Sequence, residues 1–395
     1  MKTHSLYAYA WDVAEEEPDR FVAKLQARSL GTLSLAASYH AGKFTRPHGR
    51  SARVVFPEDG TVYFDARPER YGRIRPRPNS AGGGTFTRYA ERTDIGVTAW
   101  TVLLHNTALG TAHPDCVARN AFSDPYWYSL CPAHPDVADY ATALCADIAD
   151  RHQVRGLVLE TPGWLPYAHG YHHEFALIAP NPWLDAFLGL CFCRHCLAGA
   201  AAAGIGAEDL RRRVADRVDG YLRAAGDTPP DMGAAWLASD LLQDAELAAF
   251  GRWRCTVVTA LAARIRAAVR SDASVFVIPS VRRPGAAGWL EGSDLPALAG
   301  VVDGLEMCFY EPAAARAVAD LGEVRRRVGS GVPIRCVVRP GPPDHATEAE
   351  LRATVAGLAA GGAEGFGFYN YGHVREGNLD WVGRALEGIG DAASG

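Results

Sequence analysis

Short apolar runs alternate with longer amphipathic stretches along most of this chain. Runs with strand character cover 6–11, 32–38, 95–104, 154–159, 274–278, 303–309, 333–338 and 365–369. Between them apolar residues recur at helical spacing, over 18–30, 136–151, 208–225, 244–271, 295–301, 313–328, 348–360 and 379–389. The first helix is entered through acidic residues, which suit a helix N-terminus. The alternation breaks twice. Residues 41–92 stand where a second helix belongs, and their Pro, Gly and Arg content and the run Val62-Tyr63-Phe64 suggest a small hairpin. After the fourth strand, helical segments accumulate before the fifth. Eight strand–helix units in near-strict order predict an α/β fold, a (β/α)8 TIM barrel. The chain reads as one domain over 1–395, with a long insert after strand 2 and helical additions after strand 4. The competing fold is a doubly wound open sheet. It would be favoured by a glycine-rich phosphate turn after the first strand, and none is there. Ala81-Gly82-Gly83-Gly84 lies inside the insert with no strand before it, and reads as a loop.

Composition narrows the partners. The formal net charge is −5 and no basic cluster stands out, which argues against nucleic acid. Arg211-Arg212-Arg213 falls in a helical pattern and reads as a solvated face. No charged-then-apolar leader and no membrane-length apolar run is visible, so no membrane partner and a cytoplasmic location are expected. Homo-oligomer formation stays open. Nine cysteines, an odd number over a long chain, speak against a disulfide framework.

In this fold the chemistry sits where strands end. The residues placed there are Trp11 and Asp12, Tyr39 and His40, His105 and Asn106, Glu160 and Trp164, Arg282, Tyr310 and Glu311, Arg339, and Asn370 and Tyr371. Rings to stack on sugar faces and polar groups to read hydroxyls predict a small-molecule carbohydrate or glycoside as ligand. Glycoside hydrolysis needs two carboxylates, one protonated and one ionised. Glu160 ends the apolar run Gly156-Leu157-Val158-Leu159, an environment that raises a carboxyl pKa. The loop 161–174 behind it, rich in aromatics, histidines and prolines, can exclude water. The insert 41–92 leaves strand 2 at the same end, so it should lie over the mouth, with Phe44, Tyr63, Phe64 and Tyr71 walling the pocket. Strand 6 offers Glu306, inward by parity and one layer deeper, as the second carboxylate. Glu306 also suits a buried charge held by Arg335 or Arg339. Glu311, before Pro312, reads as a loop residue at the rim.

Cys191-Phe192-Cys193-Arg194-His195-Cys196 gives three thiols at the spacing of a structural zinc site, which needs a fourth donor. Cys131, in Leu130-Cys131-Pro132, suits best, with Cys116 and His195 as alternatives. Cys145, Cys255, Cys308 and Cys336 fall in regular elements and read as small core residues.

Leu130-Cys131-Pro132 ahead of a helix, a strand ending in Glu160, and Cys191-Phe192-Cys193-Arg194-His195-Cys196 together resemble the catalytic barrel of family 42 β-galactosidases. They also resemble hypothetical glycosyl hydrolase barrels related to that family. The resemblance covers roughly 100–200. It implies a structural zinc on Cys131, Cys191, Cys193 and Cys196, and an acid/base role for Glu160. Two positions depart from the family: Leu159 stands where it has Asn, and the strand Ile334-Arg335-Cys336-Val337-Val338-Arg339 lacks its nucleophilic glutamate. The first reading is a glycosidase with Glu160 and Glu306 as the pair. A sugar isomerase, epimerase or lyase using His40, His105 and Glu160 is the second reading. A carbohydrate-binding barrel without catalysis is the third.

Overall fold

A computed structural model describes residues 4–168 and 175–391. Eight parallel strands close into a barrel: β1 (Ser5–Ala8), β2 (Thr32–Tyr39), β3 (Gly96–Val102), β4 (Gly156–Glu160), β5 (Ser274–Ile278), β6 (Gly304–Cys308), β7 (Ile334–Val338) and β8 (Gly365–Phe368). Closure is direct, because β1 pairs with both β8 and β2. The strands read as continuous apolar runs because both faces are covered. Alternate residues point inward, and the lumen is filled by Tyr7, Tyr9, Trp100, Val158, Phe276, Cys308 and Val337. The other parity packs under the helices in the larger outer core.

Local chemistry sets the helices. His134 accepts from the Asp136 amide and Pro135 opens the helix Pro135–Arg151. Thr347 and Glu350 form a reciprocal capping box on Glu348–Ala360. Among the described residues, no helix is long and apolar enough to cross a membrane.

The insert departs from its expected form. Its hairpin joins Phe44–Thr45 to Val54–Val55, while Thr61–Val62 pairs antiparallel with the end of β2. The glycine run expected as a loop leads directly into a helix, Gly84–Ala90. Only part of the insert turns over the mouth. Phe44 lies 5.4 Å from the Tyr9 ring and 5.0 Å from His373, and Tyr63 packs on Trp11. Phe64 instead packs on Phe86 and His152, and Tyr71 on Tyr140 of the helix Pro135–Arg151. Those two aromatics cover the outer wall in place of the missing helix and do not wall the pocket.

Beyond β4, the described residues form five helices before β5: Pro182–Leu188, Arg194–Ala202, Ala207–Arg223, Pro230–Gln243 and Ala245–Ala268. The periodicity shows only the third and fifth. Pro230–Gln243 buries just Gly233 and Leu237, so it carries no apolar stripe to read. A further hairpin, Val117–Arg119 with Pro125–Leu130, occupies the loop after β3.

Candidate active site

Glu160 is the last residue of β4, and it is only partly buried. The indole N–H of Trp100, on neighbouring β3, donates to its Oε2 at 2.5 Å. Burial pushes the carboxyl up to about 7, opposed by that hydrogen bond, so at neutrality a large fraction keeps its proton. The next residue, Thr161, has φ 53°, a left-handed conformation that costs a β-branched residue about 1–2 kcal/mol. The chain leaves the strand abruptly at this point. Of the loop 161–174 expected to exclude water, 169–174 lie outside the described residues.

Around Glu160 the floor is aromatic. The Trp100 ring lies 5.0 Å from Tyr39, 5.4 Å from Tyr9 and 5.7 Å from Tyr369. The hydroxyls of Tyr9, Tyr39 and Tyr369 meet one another, and Tyr9 Oη also reaches His373 Nε2. His40 stacks on Tyr39 at 4.2 Å and on His105 at 4.0 Å, which carries the floor toward the β3 loop. Tyr310, after β6, lies under the guanidinium of Arg339 at 4.4 Å and of Arg283 at 4.9 Å. Arg339 is fixed by two bonds to Asp344. Phe44, Arg339, Tyr369, His373 and Trp381 line a cavity of about 800 Å³ above the β7 and β8 ends.

Several expected site residues lie elsewhere. Glu306 does point into the lumen, but it is 1% exposed beneath this floor. Tyr7 donates to its Oε1 at 2.6 Å, and Arg335 stands 3.6 Å from Oε2. A carboxylate sealed there cannot touch a ligand, so Glu306 is a partnered buried charge and not the second carboxylate of the pocket. Glu311 is buried against Arg316 at 2.7 Å and is not free at the rim. Trp164, 1% exposed, packs on Arg254 and Trp253 in the outer core. Asn370 is fully buried and accepts the Gly372 amide, as a turn residue does. Tyr371 likewise packs inside, stacked on His48. Asn106 caps the helix Thr107–Ala112, and Asp12 binds Arg46. Arg282 is engaged by Asp185. Sequence reasoning passed over Trp100, Tyr9, Tyr369, Arg283 and His373. Inward parity along β1 and β3 signals Tyr9 and Trp100; nothing local signals the others.

The cysteines converge as their spacing suggests. Cys131, from the β3 loop, meets Cys191, Cys193 and Cys196, all buried, at the start of the helix Arg194–Ala202. Cys131 Sγ lies 3.5 Å from Cys196, 3.6 Å from Cys193 and 4.0 Å from Cys191. These are too long for disulfides, and Zn–S bonds of about 2.3 Å put tetrahedral sulfurs about 3.8 Å apart. The Arg119 amide points at Cys191 Sγ. Arg254 is 1% exposed and makes no ion pair with a carboxylate among the described residues; the groups that favour its charge are Cys191, Cys196, Cys255 and Cys131. A buried cation needs an anion, and four thiolates on one divalent ion would supply it. Cys116 stands apart, beside Asp115, His134 and Arg73.

No protein-family model and no curated protein matches the sequence. The structure aligns with the glycoside hydrolase domain of PgaB (BpsB) from Bordetella bronchiseptica at a TM-score of 0.59 and 14% identity, over 98% of this chain and 99% of that one. A class V chitinase from Pseudomonas fluorescens Pf-5 aligns at 0.47 and 11%, over 98% and 100%. The endo-1,4-beta-D-mannanase of Thermotoga petrophila RKU-1 aligns at 0.47 and 10%, over 99% of each. The first likeness establishes the (β/α)8 barrel as a shared fold, at an identity that carries no residue roles.

Proposed function

We propose that this protein is a glycoside hydrolase in which Glu160 is the general acid/base. What carries the reading is Glu160 itself: a carboxyl held near neutrality by burial, at the end of β4, on an aromatic floor. Trp100 occupies Oε2, which leaves Oε1 to give its proton to the glycosidic oxygen and later to take one from water. Tyr39, His40, His105, Tyr310 and Arg339 then contact the sugar. The shared fold with a glycoside hydrolase domain supports the class, and the family 42 resemblance supports the position of the acid. The ligand is a glycoside of a sugar still to be identified.

Cys131, Cys191, Cys193 and Cys196 hold a structural zinc in this reading, filling all four positions, so the metal fastens loops and takes no part in catalysis. The isomerase reading needs His40, His105 and Glu160 on one ion. Among the described residues their donor atoms form no metal-sized cluster.

The test is hydrolysis of a panel of 4-nitrophenyl glycosides by the wild type and by Glu160→Gln. The variant should fold normally and lose about 10²–10⁴-fold in rate on the best substrate. Unchanged hydrolysis by Glu160→Gln would remove Glu160 from the chemistry.

A further inference from the structure

Among the described residues, the carboxylates that could pair with Glu160 are already engaged. Glu291, Glu306 and Glu311, the carboxylates near the β5 and β6 ends, are each buried against their own partners: Ser280 and Arg282 for Glu291, Tyr7 and Arg335 for Glu306, Arg316 for Glu311. A retaining hydrolase nonetheless needs a nucleophile facing its acid.

Across the mouth from β4, four strands away in either direction, stands the end of β8. Tyr369 follows it, partly exposed, on the wall of the cavity it shares with Arg339 and His373. One indole supports both sides: Trp100 donates to Glu160, and its ring lies 5.7 Å from the ring of Tyr369. Behind Tyr369 runs a chain of hydroxyls. Tyr369 Oη is 2.8 Å from Tyr9 Oη, and Tyr9 Oη is 3.2 Å from His373 Nε2. The Thr45 backbone also hydrogen-bonds this imidazole; in the neutral tautomer that carries its hydrogen on Nδ1, Nε2 is an acceptor for Tyr9. The directions then follow. Tyr9 donates to His373, so its oxygen accepts from Tyr369. Tyr39, 3.3 Å from Tyr369 Oη, can donate to the charge that a departing proton leaves.

We propose that Tyr369 is the nucleophile of this site and gives up its proton through Tyr9 to His373. The inference rests on the glycosidase reading and supplies its missing group. In the first half, Tyr369 Oη bonds to the anomeric carbon as the bond to the leaving oxygen breaks. Glu160 protonates that oxygen. The Tyr369 proton moves to Tyr9 Oη while Tyr9 passes its own to His373 Nε2. In the second half, water attacks the anomeric carbon and Glu160 takes a proton from it. The phenolate departs and recovers its proton as the relay runs back.

The electrostatics suit this order. Burial raises Tyr369 to about 12, with Glu160 adding to the rise, and bonds from Tyr39 and Tyr9 oppose it. The phenol therefore needs a base at neutral pH. Burial lowers His373 below 6.5, so it is neutral and able to accept. The groups facing it are the hydroxyl of Tyr9, the rings of Tyr369 and Phe44 and the Thr45 backbone, with Arg339 and Arg375 on the same cavity. Tyr9 and His373 act through Tyr369 and are positioning residues.

The experiment has two arms. The wild type and Glu160→Gln are incubated with the 2-deoxy-2-fluoro glycosyl fluoride of the best panel sugar and digested for mass spectrometry. Fluoride leaves without acid help, so both should carry the fluoroglycosyl group on Tyr369. In the second arm, Tyr369→Phe should lose about 10³-fold or more in kcat at unchanged thermal stability. His373→Gln should lose less, and should also lose the acid limb of the pH–rate profile, which a packing role would leave in place. Label on another residue, or hydrolysis with no label, overturns the inference and leaves the glycosidase reading standing. A wild type that cleaves no glycoside and takes no label overturns both.

Discussion

At the residue scale, the buried position of Glu160 comes at a cost to stability. Its folded pKa of about 7 lies above the unfolded value of 4.5, so the native state binds the proton more tightly. Its contribution favours folding least at high pH, and stability should fall as pH rises from about 4.5 to 7. The full cost is on the order of 3 kcal/mol, an upper bound because the carboxyl still meets the open pocket. Glu160→Gln removes it. The variant's melting temperature should therefore gain on the wild type between pH 4.5 and 7, and the gap should level off above. A gap independent of pH would mean that the carboxyl is not perturbed. Glu306 makes the opposite case. Its neutralising partner is Arg335, stacked on Phe276 at 3.6 Å. Arg335→Met leaves the carboxylate unpaired in the lumen and should cost about 3 kcal/mol in urea unfolding. Burial already raises Glu306, so this loss should be larger at pH 8 than at pH 4.

At the element scale, two irregular segments do the work of regular ones. The cysteine cluster brings the β3 loop to the helix Arg194–Ala202, far apart in sequence, and a zinc bound there would fasten the two. Purified protein should hold one zinc per chain by elemental analysis. Cys193→Ser or a strong chelator should lower the melting temperature by several degrees, with the surviving folded fraction still active. The insert is the other segment. Asp147, fully buried on the helix Pro135–Arg151, takes hydrogen bonds from Arg67 and Tyr71 and so holds the insert against the outer wall. Asp147→Ala should cost about 3 kcal/mol and open 41–92 to limited proteolysis first, because it strands two polar partners at once.

At the scale of the whole molecule, the closed barrel brings the ends of β1, β2, β3, β4 and β8 onto one mouth, so groups distant in sequence share one site. In the proposed reaction Glu160 must be protonated and His373 neutral. The pH–rate profile should be a bell, falling above about 7 as Glu160 ionises and falling on the acid side below 6.5. Glu160→Gln should flatten the alkaline limb. An alkaline limb that persists in that variant would assign it to another group.

The barrel was legible because a buried strand and an amphipathic helix each leave a period that no later packing erases. β5 and the helix Glu348–Ala360 match their sequence bounds. Glu160 was legible for the same reason, as a carboxylate at the end of an apolar run. So were Cys191, Cys193 and Cys196, whose spacing is local; Cys131, 60 residues before Cys191, joins them only in the folded chain. What the tertiary structure alone decided is depth and partnership. Parity pointed Glu306 inward, but only the closed lumen placed Tyr7 and Arg335 around it and a floor above it. Asn370 and Trp164 stood at strand ends in sequence and are buried in a turn and in the outer core. Tyr9, Tyr39, Tyr369 and His373 come from both ends of the chain, and their hydrogen bonds exist only once β1 has closed against β8. A sequence pattern records which face a residue prefers; which groups share that face is fixed by closure of the barrel.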